Sequence, residues 1–451
     1  MNESTSMRVC IQCLNNDKFL WGLTANDPDS NQNCDYCDSE LPTLSLETLT
    51  EKTDWLIEHY YSPVSTYDWY GEPEGYSLRE VLEEDVSDNE KFIDDLIETL
   101  TDKWFDYSSH DHYYGEDPHF EKSMTLSGNI SAKWYEMETK LRESVRFFNS
   151  DAQSTFDEVF QFIKDNHPSA FLRVTKGSKF YRGRIFQSKE SLEQALKKPE
   201  DSFGPPPSKL TPAGRMNARG ISVFYGATSK TNAVSEVRPP VGSMVVVAEF
   251  NLLRDVTLLD LASLSELPKM DISRFDPLYL EQYELMSFIN RLSRKMVMPV
   301  VPELEGTDYL LTQAIADYLA ISSHYDLDGI LFPSAQKPAD SKEPTIRNVI
   351  LFHKSSRVRN AGLRMHDAEV ELYEHEEEGS YFLPNITTAM SDFRRQFNVL
   401  KHVNKRDDTL EINLDNLEVH TVQGVMFNTN TIPINHYPRS KPSPTQPDEE
   451  F

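Results

Sequence analysis

The chain has 451 residues, a formal net charge of −28, 38% hydrophobic and 11% aromatic residues. That length suits about two to four domains at roughly 100–200 residues each, and the apolar share excludes global disorder. So acidic a chain disfavours broad contact with nucleic acid or anionic membranes, while a small anion in a local basic pocket stays compatible with it.

The N-terminus, MNESTSMRVC, shows none of the charged start, apolar core and cleavage site of a signal peptide, and the apolar runs are short. A soluble, cytoplasmic protein in a reducing compartment, with no membrane contact, is therefore expected. All four cysteines fall in the first 37 residues, as Cys10-x2-Cys13, a 20-residue gap, then Cys34-x2-Cys37. Two such turns can offer four thiolates to one tetrahedral zinc, and a closed thiolate set makes that metal structural. Two disulfides or four idle thiols are the alternatives. Residues 1–45 are read as this module.

Residues 46–170 read as an acidic, mainly helical domain, with apolar residues at helical spacing in LETLTEKTDWLIEHYY, SLREVLEEDVSDNEKFIDDLIETLTDKWF and later runs. Between Glu72 and Asp117, sixteen acidic side chains face three basic ones. The plainer reading is solvated helix faces and loops; the sharper one is a docking surface for a basic partner. His110, His112 and His119 fit an exposed polar loop better than a second metal site.

The texture changes after residue 170. RVTKGSKFYRGR carries five basic residues and no acid, and KESLEQAL reads as a short helix. Strand-like runs follow, ISVFY, SMVVVAEFNL, VTLLDL, GILFP and NVILFH, with two long helical patterns among the later ones. This is a mixed α+β domain over about 171–370. Residues 371–451 form an extension in which TLEINLDNLEVHTV suggests a hairpin around Asp415-Asn416, and the end beyond Tyr437 suggests a flexible tail.

No Asp or Glu occurs from Ser202 through Ser235, a run of 34 residues. Arg182 precedes this run, and Arg215 and Arg219 lie within it. Guanidinium groups bind phosphate oxygens bidentately, and glycine such as Gly226 lets a ligand approach the backbone. Tyr225, at the end of a strand-like run, could stack on a planar base. Thr228 or Ser229 could cap a short helix carrying Glu236 on an early turn. Arginines, an aromatic and one carboxylate suit cleavage of a dinucleotide's glycosidic bond, which needs a clamped diphosphate and a stabilised oxocarbenium-like sugar. Each residue also has a duller role: Arg182 in a surface ion pair, Tyr225 in the core, Ser334 at a turn.

In order, FYRGR, PAGRMNARGISVFYGATSKTNAVSEVRPPVGS, YLLTQAIADYL and YDLDGILFPSAQ…RNVILFH resemble RES domains, over about residues 171–355. The N-terminal block, through VCIQC…CDYCDSE, is similar to the zinc-plus-helical extension of the HEPN/RES N-terminal type. It lacks an Arg-x4–6-His pattern, so no ribonuclease site of that kind is expected. The resemblance implies an ADP-ribosyltransferase-like fold and NAD+ as substrate, degraded by a toxin or defence effector. It assigns Arg182 to the nicotinamide ribose and phosphates, Tyr225 to nicotinamide, Glu236 to the ribose and its cationic transition state, and Ser334 to orientation, with Arg215 lining the phosphate site. Transfer of ADP-ribose, phosphorolysis, or a non-catalytic adaptor role stay open, as do a regulatory or antitoxin protein and a second copy of the chain as partners.

Overall fold

A computed structural model describes residues 7–37, 39–64, 66, 73–115, 117–265, 272–298, 305–334, 346–359, 367–376, 379–388, 406–426 and 431–434. Near the N-terminus β1 (Arg8–Cys10) pairs antiparallel with β2 (Thr43–Ser45), and α1 (Lys18–Thr24) lies in the loop between them. There follow α2 (Leu46–Tyr60), β3 (Tyr61–Pro63), β4 (Tyr76–Ser77), α3 (Leu78–Asp85), α4 (Glu90–Trp104), the hairpin β5 (Phe105–Asp106) and β6 (Asp111–His112), and β7 (His119–Lys122). Local chemistry explains the helix starts. Ser45 and Asn89 accept from backbone N–H groups at the heads of α2 and α4, and Ser77 forms a capping box with Glu80 at α3. On α4, Phe92, Ile93, Leu96 and Leu100 recur at helical spacing and are fully buried.

Next come α5 (Asn129–Glu143), α6 (Ser150–Asn166), β8 (Phe171–Val174), β9 (Lys179–Phe186), α7 (Lys189–Leu196), α8 (Pro199–Phe203), β10 (Phe224–Ala227), α9 (Lys230–Glu236), β11 (Met244–Leu252) and β12 (Val256–Asp260). The chain continues through α10 (Pro277–Val297), α11 (Glu305–Ile321), β13 (Gly329–Pro333), β14 (Arg347–Leu351), β15 (Glu369–Glu376), β16 (Gly379–Thr387) and β17 (Leu410–Thr421). Eight of these strands form one sheet in the order β17-β11-β9-β10-β14-β13-β12-β8. Its neighbours are antiparallel except β12 and β13, which run parallel. Parallel neighbours need a crossover, and α10 and α11 supply it.

Side chains alternate across this sheet with period two. Phe180, Phe224, Val246, Phe250, Leu331 and Val349 share one core with α7, α8 and the β15–β16 hairpin. Leu259, Ile330 and Ile350 face the other way, into a core filled by α5, α6, α10 and α11. The expected mixed α/β architecture is present. The cores, however, fall differently from the boundaries read in sequence: α5 and α6 share a core with α10 and α11, whereas α2, α3 and α4 pack with the β1–β2 region.

The C-terminal hairpin expected at Asp415-Asn416 is not formed. Those residues lie within one long strand, β17, paired along β11. Between the pairs Val247↔Glu418 and Glu249↔Asn413 the register shifts, so β17 carries extra residues there. At the shift sits Glu249, a buried carboxylate whose Oε1 accepts from Asn413 Nδ2 at 2.9 Å and Asn416 Nδ2 at 3.0 Å. A hairpin does occur earlier, at β15–β16. The expected tail lies outside the described residues. Among the described residues no helix is long and apolar enough to cross a membrane.

Candidate active site

Ser229 caps α9 by accepting from Asn232 N, as one of the two expected capping residues. The helix is only seven residues long, so Glu236 is its last residue and not on an early turn. Gly183 lets α9 lie against β9, because a Cβ there would run into the Ala233 carbonyl oxygen. Glu236 is thereby delivered to the end of the sheet where β13 stops and β14 starts. Its Oε2 accepts from Asn348 Nδ2 at 2.8 Å and from Ser334 Oγ at 3.3 Å. Its Oε1 accepts nothing among the described residues.

Asn348, on β14, is itself held by α9: Asn232 Nδ2 donates to Asn348 Oδ1 at 2.8 Å. Asn232, Asn348 and Ser334 are all buried, while Glu236 is exposed. Ser334 is fixed at the end of β13 by its backbone N–H, which donates to Ile346 O at 3.0 Å. Close by, Arg347 pairs with Asp260 at 2.7 Å, tying β14 to β12. Asn232 and Asn348 were absent from the sequence reading. Their one signal was polarity out of place, notably an asparagine inside the apolar run RNVILF.

Tyr225 sits on β10, next to β14 in the sheet, and Arg182 on β9, one strand further from β14. Tyr181 pairs with Ala227, which sets Arg182 beside Gly226. The Arg182 guanidinium lies 5.8 Å from the Phe224 ring centroid, and a Cβ on Gly226 would strike that ring at 2.5 Å. Gly226 thus has a packing reason to be glycine. Arg182 Nη1 is buried with no hydrogen-bond partner. Burial, then the neighbouring Arg184, push the guanidinium down to about 10, so it remains charged at neutral pH. An unpaired buried donor of this kind is costly and would be satisfied by an anion.

Tyr225 is held by its hydroxyl, which accepts from Met216 N at 3.1 Å and donates to Asn217 Oδ1 at 2.8 Å. Burial first of all pushes its phenol up to about 12. The same loop carries Arg215, whose Nη1 donates to Met296 O at 2.8 Å and whose guanidinium lies 5.6 Å from the Tyr309 ring centroid. Arg219 is exposed and makes no hydrogen bond or ion pair among the described residues.

The structure therefore brings Glu236 and Ser334 into direct contact. Arg182 and Tyr225 are close enough to influence each other's charge. By strand alternation, Arg182 shares a sheet face with Phe224, whereas Tyr225 and Asn348 take the other. Among the described residues no hydrogen bond or ion pair joins Arg182 to Glu236.

At the other end of the chain, Cys10, Cys13, Cys34 and Cys37 place their sulfurs within 4.8 Å of one another. Cys10 and Cys37 are 3.4 Å apart and Cys13 and Cys34 4.0 Å. Sulfurs bound to one tetrahedral zinc at about 2.3 Å stand roughly 3.8 Å apart, so the set fits that ion. The Cys10 N–H donates to Cys34 Sγ at 3.3 Å, an outer contact that orients the sulfur. Among the described residues no second such cluster occurs, at His110, His112 and His119 or elsewhere.

Compared with known proteins, residues 184–370 match the family model of the RES domain. No curated protein and no solved structure matches the chain.

Proposed function

Residues 184–370 match the RES domain, and from that premise we propose that the protein consumes NAD+, cleaving the nicotinamide–ribose bond as a toxin or defence effector. The observation that carries this reading is the Glu236 carboxylate. One oxygen is clasped by Asn348 and Ser334, and the other is left open. A carboxylate held in one orientation with a free oxygen can accept from a ribose hydroxyl and offset positive charge as it develops on the sugar.

In the reaction the bond from the sugar's anomeric carbon to the pyridinium nitrogen breaks, and its electron pair leaves on nitrogen as neutral nicotinamide. Water adds to the cationic carbon and loses one proton, which yields ADP-ribose. Such a step needs stabilisation of an oxocarbenium-like centre more than a strong nucleophile. Arg182, with a buried and unpaired nitrogen, is assigned to the diphosphate. Tyr225, braced by the 214–217 loop, is assigned to the nicotinamide ring, and Arg215 and Arg219 to the outer phosphate region. The four cysteines are assigned one structural zinc.

The test is chromatography of NAD+ incubated with purified protein. Equal amounts of nicotinamide and ADP-ribose are expected, with turnover at least ~100-fold lower for Glu236→Gln, the scale on which one preorganised charge-stabilising group acts. ADP-ribose attached to protein would indicate transfer, and a phosphorylated ADP-ribose formed only with added phosphate would indicate phosphorolysis. Undiminished turnover in Glu236→Gln would remove this carboxylate from the mechanism, and no turnover in the wild type would favour the adaptor reading.

A further inference from the structure

A cavity of about 470 Å³ opens between α2, the end of α4 and the β5–β6 hairpin, far in sequence from the residues assigned above. Trp104, Phe105, Tyr113 and Tyr114 line it, and so do three carboxylates, Asp54, Glu58 and Asp106. The rings stand edge to face. Trp104 and Tyr114 are 4.7 Å apart at 82°, and Tyr113 and Tyr114 are 4.7 Å apart at 81°. Tyr113 is 80% exposed, so most of its ring is open to solvent at the cavity's edge.

The carboxylates are not equivalent. Asp54 accepts from Trp104 Nε1 at 2.7 Å and pairs with Lys103 at 2.9 Å. Asp106 is occupied by the hydroxyls of Ser108 and Ser109. Glu58 is exposed and makes no hydrogen bond or ion pair among the described residues. Burial first, and then Asp54 and Glu58 among its neighbours, push the Tyr114 phenol up to about 12. Lys103 offsets only one of the three lining carboxylates.

Negative charge beside aromatic rings suits a cation, since a guanidinium or ammonium gains from ring faces and carboxylates together. An anion would be repelled, and a purely apolar group would strand the carboxylates. Tyr107, next to the lining Asp106 in sequence, is 69% exposed. Three lining carboxylates with two exposed tyrosines, Tyr107 and Tyr113, suit more than one cation carried on a single backbone. We propose that this cavity and its rim are the docking site for an arginine- or lysine-bearing segment of a partner protein, with one cationic side chain inserted beside Glu58 and Tyr113.

The test uses the full chain and a fluorescein-labelled (Arg-Gly)6 peptide, read by fluorescence anisotropy. Glu58→Gln and Tyr113→Ala change exposed side chains, and their thermal unfolding is measured alongside to confirm folding. Each is expected to weaken Kd by about 5-fold or more, the size of one cation–π or charged contact. Glu136→Gln, an exposed acid on α5 outside the cavity, is expected to change Kd less than about 2-fold by the same reasoning. Equal effects from all three variants, or none from the first two, would reduce the binding to general charge attraction and overturn the proposal. Spermine displacing the peptide at matched charge concentration with the same variant pattern would make the occupant a small polyamine. Self-association of the chain that Glu58→Gln abolishes would make it a second copy. Either result replaces the partner protein.

Discussion

In the proposed NAD+ cleavage, Asn348 would matter to the chemistry without resembling a catalytic group. It is buried on β14, accepts from Asn232 and donates to Glu236, so it transmits the position of α9 to the carboxylate. Replacing it with alanine leaves Glu236 held only by the longer contact from Ser334. We expect Asn348→Ala to lower kcat for NAD+ cleavage about 10-fold to 100-fold, the usual cost of losing an orienting contact. KM should change much less, because the contact serves the carboxylate and not the substrate. Steady-state kinetics decide between this and a plain folding defect, which would lower the active fraction without altering the pH profile of the remainder.

At the scale of an element, one buried carboxylate, Glu249, sits where β17 changes register along β11. Burial alone would push Glu249 up, but Asn413, Asn416 and Lys179 together outweigh it and hold the carboxyl down to about 2. A carboxyl depressed in the folded state adds stability that is complete above its unfolded value near 4.3, and loses it as pH falls toward 2. The full contribution is of the order of 3 kcal/mol by that linkage. Thermal unfolding should therefore show a wild-type loss of stability between about pH 4.5 and pH 2 that is clearly smaller in Glu249→Gln. An identical acid profile in the two proteins would show that other carboxylates govern this range.

Across the whole molecule, stability is divided among separate cores. The α2–α4 core also takes in Val9, Ile11 and Leu14 from around the first cysteine pair, so the cysteine cluster is built into it. If one zinc ties Cys10, Cys13, Cys34 and Cys37 together, elemental analysis should find close to one zinc per chain. Cys34→Ser should lose the metal and unfold the α2–α4 region at lower temperature. The α10–α11 core should be affected less, since α10 reaches that region through its first turn, at Tyr279 and Leu280, while most of its apolar face packs elsewhere. Hydrogen exchange resolved by segment would show this contrast, and uniform protection in the variant would argue against a structural metal.

Much of this protein was legible because it is written in local patterns. The spacing of the cysteines, the cap of α9 and the apolar runs of β11 to β14 each need only neighbours in sequence to be recognised. The motif from Arg215 to Glu236 was legible for the same reason. The tertiary structure alone decided what depends on distant pairing: that β17 joins β11 instead of folding on itself, that α5 and α6 complete the core of the sheet, and that Asn348 meets Glu236 across 112 residues. It also set Arg182 and Tyr225 on opposite faces, because side-chain direction in a strand follows from register, and register is fixed by partners far away in the chain.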